Sequence, residues 1–202
     1  MKIYIATSNK HKVGEFRQMF ANSSIACDVF GADDVDGFVS PIEDGKTFAE
    51  NALIKARALA KCLGDCYVMA DDSGIVVDAL DGKPGIYSAR YAGCDTPDSD
   101  LRNNEKLLRE LVDVPDEKRS ARFVCAIALI TPNTDENIFE GKIEGFINHE
   151  AVGCGGFGYD PLFYVPEFNK TTAELSSDEK NAVSHRGKAF AKMVEFLKQQ
   201  QQ

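Results

Sequence analysis

The apolar residues of this chain recur with two different spacings, one typical of helices and one typical of strands. A β-branched and aromatic run from Lys2 to Ala6 predicts a first strand. Apolar positions three and four residues apart predict amphipathic helices. These helices are predicted over 10–20, 47–63, about 98–111 and about 188–199.

Further segments have the pattern of strands. Residues 67–70 form a short apolar run that stops at the polar turn 71–74, and an extended pattern resumes over 75–80. Residues 122–131 are apolar on both faces, which is typical of a central strand covered by helices on both sides. Residues 137–147 alternate between apolar and charged positions, so we predict a half-exposed antiparallel strand there. The interleaved helices and strands predict an α/β fold with a mixed sheet.

Length and composition are compatible with a substantial hydrophobic core. The chain has 202 residues, of which 44% are hydrophobic, enough for one domain or for two lobes that share a cleft. No apolar run is long enough to cross a membrane, and the N-terminal one, residues 3–6, is too short for a signal-peptide core. We therefore expect a cytoplasmic protein without a membrane partner.

The charge and the cysteine pattern narrow the choice of ligands. The formal net charge is −9, whereas nucleic-acid binders carry an excess of Lys and Arg, so binding of a polynucleotide is disfavoured. A small polyanion is compatible with this charge where local cations or a metal offset the acidic background. The six cysteines form no CxxC pair and the three histidines complete no zinc-ligand spacing, so we expect reduced thiols.

The turn between the first strand and the first helix has the composition of an anion site. Thr7, Ser8 and Asn9 favour caps and turns, and two lysines, Lys10 and Lys12, follow closely. A helix N-terminus presents backbone N–H groups and a positive partial charge, and both favour a bound anion. The alternative is an ordinary capped turn between a strand and a helix.

Two acidic segments could hold a metal ion. Asp71 and Asp72 are predicted to follow the end of a strand, where open α/β sheets bind ligands, and adjacent carboxylates point in different directions. One of them could hold Mg²⁺ while the other orients the loop, and Glu43 could supply a second ligand. The alternatives are a solvated turn for the pair and a favourable charge at a helix N-terminus for Glu43. Glu50 is better explained as the partner of Thr47 in a capping box.

A glycine-rich segment and a distal cationic segment could bind a nucleoside. Four glycines within residues 153–158 let a ligand approach the backbone closely, and Phe157 and Tyr159 lie on the same loop. Lys180 and the pair His185-Arg186 are natural hydrogen-bond donors to oxygen atoms of a phosphate or a base. The alternative is that these cations are ordinary surface side chains.

Two segments resemble familiar nucleotide-binding motifs but lack features that those motifs require. Residues 45–47 read Gly-Lys-Thr like the end of a P-loop, but Ser40 stands where that motif needs a glycine. Residues 153–158 match the spacing of a dinucleotide fingerprint, but the chain that follows reads as extended, whereas the fingerprint must open a helix. Neither motif therefore supports a function.

Taken together, the remaining segments resemble those of the inosine triphosphate pyrophosphatase family, whose bacterial members are XTP/dITP pyrophosphatases. The similar motifs follow the order of that family over nearly the whole chain. They are Thr7-Ser8-Asn9-Lys10-His11-Lys12, Thr47-Phe48-x-Glu50-Asn51-Ala52, Asp71-Asp72-Ser73-Gly74, Pro84-Gly85-Ile86-Tyr87-Ser88-Ala89-Arg90-Tyr91, Gly156-Phe157-Gly158-Tyr159-Asp160-Pro161 and Ser184-His185-Arg186-Gly187.

The resemblance implies a fold, a cofactor and a reaction. Members of the family are homodimeric, Mg²⁺-dependent enzymes with an elongated mixed β-sheet flanked by helices and two lobes around a central nucleotide-binding cleft. We accordingly expect residues 1–202 to form a single α/β domain of this kind. The implied reaction converts ITP, dITP and XTP to the nucleoside monophosphate and pyrophosphate, which removes deaminated purines from the nucleotide pool.

The resemblance also implies roles for individual residues. Asp72 would be the catalytic carboxylate and a ligand of Mg²⁺, with Ser73 beside it. Some relatives carry a Glu-Glu pair in the acidic loop, whereas here Ile42 precedes Glu43, and the role of second metal ligand falls to Glu43. The triphosphate would be bound by Thr7, Ser8, Asn9, Lys10, His11 and Lys12. The nucleoside pocket would be lined by Phe157, Gly158, Tyr159, Asp160, Lys180, His185 and Arg186.

Two other classes of function compete with this hypothesis. A general phosphatase or NTPase would release orthophosphate from the γ end of the substrate. A non-enzymatic nucleotide sensor would bind ITP without turnover. The related Maf-type pyrophosphatases fit less well, because Thr7-Ser8-Asn9 stands where their Ser-x-Ser-Pro-Arg turn is expected.

Overall fold

Runs of β-branched and apolar residues build a mixed β-sheet that the helices flank. The computed structural model describes residues 1–93, 96 and 98–200. The strands in this part of the chain are β1 (Lys2–Ile5), β2 (Asp28–Phe30), β3 (Tyr67–Val77), β4 (Ser120–Ile130), β5 (Glu136–Ile147), β6 (Phe163–Val165) and β7 (Lys170–Thr171). They form one seven-stranded sheet in the order β2-β1-β3-β4-β5-β6-β7.

The strand pairing confirms the mixed sheet. Strand β1 pairs in parallel with β2 and with β3, whereas β6 pairs antiparallel with β5 and with β7. Strand β4 is the fourth of the seven, which is the central position that its apolar character predicted. Strand β5 alternates between buried and exposed side chains over its C-terminal half, as the alternating pattern of residues 137–147 predicted.

The helices agree closely with the apolar periodicity. Within the described residues, the α-helices are α1 (Lys10–Ala21), α2 (Phe48–Leu63), α3 (Ser99–Glu110), α4 (Ser177–Val183) and α5 (His185–Gln200). The Thr47 hydroxyl accepts the Glu50 N–H at 3.1 Å, but the Glu50 carboxylate accepts from Lys46 N–H, so only half of the predicted capping box forms. In this part of the chain, none of the helices combines the length and the apolar character that a membrane crossing requires.

The chain divides into two compact units. Unit 1 comprises Met1–Asp72, Cys125–Gly141 and His185–Gln202. Unit 2 comprises Ser73–Val124 and Lys142–Ser184.

Unit 1 has two apolar clusters, one on each face of its part of the sheet. Side chains two residues apart in a strand share a face, so Ile3 and Ile5 of β1 lie in one cluster with the aromatic residues of α1 and α5, such as Phe16 and Phe190. The opposite face of the strands packs against α2, whose Leu59 is fully buried. The helices therefore cover both faces, as expected for an α/β fold.

Unit 2 has a core of its own. Leu107 on α3 and Leu111, which follows that helix, are fully buried in a cluster with Phe123, Ile143 and Phe163. The rings of Phe123 and Phe163 lie 4.5 Å apart between centroids, within the range of favourable aromatic contacts. This core holds the strands and loops that carry the glycine-rich segment.

The prediction of an acidic turn at residues 71–74 is wrong. Strand β3 runs without interruption from Tyr67 to Val77, and only residues 78–80 turn, as a short 3₁₀ helix. The polar residues stay in the strand because both aspartates have cationic partners, and because Gly74 has no side chain: a Cβ there would lie 2.6 Å from Gly85 O. The acidic pair therefore occupies a rigid strand.

The other differences concern short or polar elements. Helix α5 begins at His185, not near 188, because its first residues are polar by type but buried in the structure. Strands β2 and β7 and helix α4 were not predicted, since so few residues establish no period, whereas β6 lies in the segment after the glycines that was expected to be extended. Cysteines 27, 62, 66, 125 and 154 are free thiols, and Cys94 lies outside the described residues.

Gly141 sets how closely the start of α5 approaches strand β5. A Cβ added at Gly141 would lie against the His185 carbonyl oxygen and 2.5 Å from the Ala189 nitrogen, both of them backbone atoms that a rotamer change cannot move. The same addition at Gly14 on α1 meets nothing within 4 Å. The glycine in β5 is therefore a packing requirement.

We predict that Gly141→Ala lowers the free energy of unfolding by about 1–3 kcal/mol, because α5 must move away from the sheet. The matched variant Gly14→Ala should be neutral or more stable by up to ~1 kcal/mol, since alanine is the better helix former. Urea unfolding followed by circular dichroism measures both. Equal stability of Gly141→Ala and the parent chain would refute the close approach.

Candidate active site

The predicted site residues fall into two groups, one in each unit. In unit 1 are Thr7, Ser8, Asn9, Lys10, His11, Lys12, Glu43, Asp72, His185 and Arg186. In unit 2 are Ser73, Phe157, Gly158, Tyr159, Asp160 and Lys180. Hydrogen bonds and ion pairs join several members within each group.

The turn before α1 is capped by Asn9. Its side-chain oxygen accepts the N–H groups of His11 and Lys12 at 3.0 and 3.2 Å, and the Thr7 hydroxyl accepts the Asn9 N–H. Residues 8–11 are exposed, whereas the Lys12 side chain turns inward. The first turn of the helix thus leaves accessible polar groups at the positive end of its dipole.

Adjacent residues of a strand point to opposite faces, and this rule separates the two aspartates. Asp71 shares the face of Met69, which packs with α1 and α5, and Asp72 shares the face of Ala70, which packs with α2. The expectation that the two carboxylates point in different directions is confirmed. Their partners consequently come from different helices.

Asp71 is a permanently ionised anchor. Its side chain is fully buried, with Lys12 Nζ at 2.9 Å and Arg186 Nη2 at 3.3 Å from Oδ2. Burial would raise the pKa of Asp71, but Lys12, Arg186 and Lys55 offset this effect and hold the pKa well below its usual range. The carboxylate therefore stays charged and orients both of its paired cations.

Arg186 is not an ordinary surface side chain. It is 2% exposed and also donates from Nη1 to Glu15 Oε2 at 2.7 Å. Burial would lower the pKa of this guanidinium, yet Asp71 and Glu15 raise it above its usual value. His185, the first residue of α5, is buried as well.

Asp72 lies in a different environment. Lys55 Nζ is 3.1 Å from Asp72 Oδ1 and 3.0 Å from Glu43 Oε2, so one ammonium group joins two carboxylates. Asn51 Nδ2 donates to Asp72 Oδ2 at 3.3 Å. Burial raises the pKa of Asp72, the Glu43 carboxylate adds to it, and together they outweigh the lowering by Lys55 and Lys12. Of the two aspartates, Asp72 is the better proton acceptor.

Sequence reasoning missed Lys55 and gave no role to Asn51, although Asn51 belongs to one of the quoted motifs. They are four residues apart on α2, so they lie on one face of the helix, beside the apolar stripe of Ala52 and Ala56. Both are buried. A polar pair at helical spacing on the border of an apolar stripe was the signal that could have found them.

The donor set around Asp72 fits Mg²⁺. Carboxylate oxygens are the ligands that this hard cation prefers, and the Lys55 ammonium shows that a positive charge is favourable between Asp72 and Glu43. In the part of the chain that the structure describes, no three His, Cys, Asp or Glu side chains are arranged to hold a metal by themselves. Two carboxylates are what Mg²⁺ uses when substrate phosphates and water complete its shell.

In unit 2, the Asp160 carboxylate organises the glycine-rich loop. Its Oδ2 accepts the Phe157 N–H at 2.8 Å and lies 2.7 Å from Lys180 Nζ. The ammonium group lies 5.0 Å from the centroid of the Phe157 ring. Lys180 belongs to α4, and its position is fixed by this buried ion pair.

The rest of the loop is held by side chains of α3 and by the core. Gly158 has φ +61°, and its N–H and C=O bind Asp100 and Asn104 at 2.7 and 3.0 Å. Tyr159 is buried, and its hydroxyl donates to the Ser88 carbonyl at 2.8 Å. The two aromatic side chains of the loop thus have different surroundings, because Phe157 lies beside the Lys180 ammonium whereas Tyr159 is buried in the core of unit 2.

The fold and the site define a class of α/β proteins in which a mixed sheet carries a buried aspartate pair with lysine and arginine partners. The Ham1 family model matches residues 3–196, and the chain belongs to this family. The resemblance drawn from the motifs is thereby confirmed.

The relatives cover nearly the whole chain. A dITP/XTP pyrophosphatase of Desulforamulus reducens is 49% identical over 98% of this chain and 96% of its own, and one of Bacillus cereus is 48% identical over 97% and 94%. Among solved structures, the Staphylococcus aureus Ham1 protein has a TM-score of 0.85 at 41% identity, covering 99% of this chain and all of its own. A HAM1 protein of Coxiella burnetii has a TM-score of 0.87 at 38% identity, covering 98% and 99%. These structures confirm the predicted fold.

We predict that Lys55→Met lowers the free energy of unfolding by about 2–4 kcal/mol in metal-free buffer, because Glu43 and Asp72 lose their shared counter-ion. Arg57→Met removes an exposed ion pair with Glu136 from the same helix and should cost ~1 kcal/mol or less. Urea unfolding in the presence of EDTA compares the two. Equal losses would mean that Lys55 does not bridge the carboxylates.

Proposed function

We propose that this chain is a Mg²⁺-dependent nucleoside triphosphate pyrophosphohydrolase that converts dITP, ITP and XTP to the monophosphate and pyrophosphate. Relatives that bear the name dITP/XTP pyrophosphatase support the substrate class. The observation that carries the chemistry is the contrast between two adjacent aspartates. Asp71 stays ionised, and Lys12 and Arg186 balance its charge. The pKa of Asp72, which lies beside Lys55 and Glu43, is raised.

Unit 1 would bind the triphosphate. Residues 7–12, which lead into the first turn of α1, bring exposed polar groups to a helix N-terminus, and Lys12 adds a positive charge that Asp71 holds in place. Lys55 adds a second charge. In a chain of net charge −9, these two lysines supply locally what a phosphate chain needs.

Asp72 and Glu43 would hold Mg²⁺. The bound ion would neutralise phosphate charge and lower the pKa of a bound water. Lys55 keeps the two carboxylates together, and Asn51 fixes the orientation of Asp72.

The reaction is in-line attack of water on the α-phosphorus. The water oxygen forms a bond to that phosphorus, the bond from the α-phosphorus to the bridging oxygen breaks, and pyrophosphate leaves. Asp72 accepts the proton of the attacking water. Lys12 stabilises the negative charge that develops on the phosphates.

Selection of the base would rest on hydrogen-bond donors. A donor at Lys180, His185 or Arg186 would suit the 6-oxo group of hypoxanthine or xanthine, whereas the 6-amino group of adenine would leave that donor unpaired. Guanine also has a 6-oxo group, so its rejection must involve the 2-position. We further propose a homodimer in the cytoplasm with no nucleic-acid partner, in line with the family resemblance and the acidic charge.

The decisive experiment incubates the protein with dITP and Mg²⁺ and assays orthophosphate with and without added inorganic pyrophosphatase. A pyrophosphohydrolase yields orthophosphate only when the second enzyme is present. Orthophosphate in its absence would identify a phosphatase that acts at the γ end. Binding without any product would identify a sensor.

We predict that Asp72→Asn lowers kcat for dITP by at least about a hundredfold while nucleotide binding persists, since the variant keeps its shape but loses both the proton acceptor and one of the two proposed metal ligands. Asp78→Asn is the matched control, because Asp78 pairs with Arg122 on the surface of unit 2. Steady-state kinetics and calorimetry measure both variants. Wild-type kcat in Asp72→Asn would exclude the proposed role.

A further inference from the structure

A threonine outside the predicted site completes the hydrogen bonding of Asp160. Thr172 follows β7 and is 3% exposed. Its hydroxyl lies 2.8 Å from Asp160 Oδ1, toward which it donates, and 3.1 Å from the Asp160 carbonyl oxygen. The shorter contact is the one to the charged acceptor, which is the stronger partner.

The donors are divided between the two carboxylate oxygens. Thr172 serves Oδ1, whereas the Phe157 N–H and the Lys180 ammonium serve Oδ2. Because Asp160 is buried, an oxygen that loses its donor has no water to replace it. Without the Thr172 hydroxyl, the carboxylate and the Lys180 ammonium would have to rearrange so that one cation serves both oxygens.

The neighbouring Thr171 provides an internal comparison. It is 1% exposed and has the same side chain, but its hydroxyl donates to the Val152 carbonyl at 2.8 Å. Loss of that bond would weaken the attachment of the loop without touching Asp160. Removing each hydroxyl group in turn therefore distinguishes a purely structural role from a role that acts through Lys180.

We propose that Thr172 is a positioning residue for the base-binding lysine: its hydroxyl holds Asp160 in the rotamer that places the Lys180 ammonium beside Phe157. The inference rests on the proposed function and takes Lys180, one of its three candidate donors, as the one that binds the 6-oxo group of the purine. Thr172 itself does not touch the substrate. Its effect should be on recognition of the base, not on the chemical step.

The kinetic test compares Thr172→Val, Thr172→Ser and Thr171→Val with dITP and dATP as substrates. Thr172→Val keeps the shape of the side chain and should raise KM for dITP about tenfold with kcat within about twofold, and so reduce the preference for dITP over dATP. Thr172→Ser restores the hydroxyl and should restore KM. Thr171→Val should lose stability but keep the parent KM.

A second measurement does not depend on turnover. The backbone amide of Phe157, which donates to Asp160 Oδ2, should change its NMR chemical shift in Thr172→Val and return toward the parent position in Thr172→Ser. If neither the parent chain nor the variants hydrolyse dITP but this amide responds, the proposed function fails, whereas the link from Thr172 through Asp160 to the glycine-rich loop stands. If Thr172→Val does not fold, Thr172→Ala carries the same predictions.

Two results would overturn the inference. One is an unchanged KM for dITP in Thr172→Val together with an unchanged Phe157 amide. The other is an equal rise of KM in Thr171→Val, since that would show that any loosening of the loop has the same effect.

Discussion

The buried carboxylate of Asp71 is the interaction on which the rest of unit 1 depends. An isolated carboxylate without water would be strongly unfavourable, so the fold must bring cations to it. Lys12 from α1 and Arg186 from α5 meet this requirement, and Glu15 balances the remaining charge of Arg186. One group thereby holds two helices at defined positions against β3. The helices carry with them the residues proposed to bind phosphate and base.

Side chains alternate between the two faces of a strand, so Asp72, the residue after Asp71, has different surroundings. Asp72 points to the opposite face, where α2 supplies one lysine and one amide and Glu43 supplies a second negative charge. Two acids next to each other in sequence therefore have pKa values shifted in opposite directions. Such a separation makes one carboxylate a fixed structural charge and leaves the other the easier of the two to protonate. In unit 2, the Asp160 carboxylate accepts hydrogen bonds from a backbone N–H, that of Phe157, and from the ammonium group of Lys180.

The local spacing of apolar residues was sufficient to predict most of the helices and strands. The helices α1, α2 and α3 and the strands β1, β4 and β5 follow from the spacing of their own apolar residues, which is a short-range property. The prediction that β3 ends before residue 71 failed because aspartate, serine and glycine ordinarily interrupt a strand. Here distant cations and the close approach of Gly85 override that preference. The local spacing also failed at the start of α5, where polar residues are buried by ion pairing that no local pattern encodes.

The sequence by itself determined the fold class, the family and the set of candidate residues, because these depend on motifs and on periods of a few residues. Only the tertiary structure decided which aspartate is the anchor, that Lys55 and Asn51 belong to the site, and that Thr172 supports Asp160. Asp71 and Arg186 are 115 residues apart, and Lys55 and Asp72 are 17 apart. Partnerships over such separations arise from the packing of helices on the sheet. The charge state and orientation of each side chain are set by those partners.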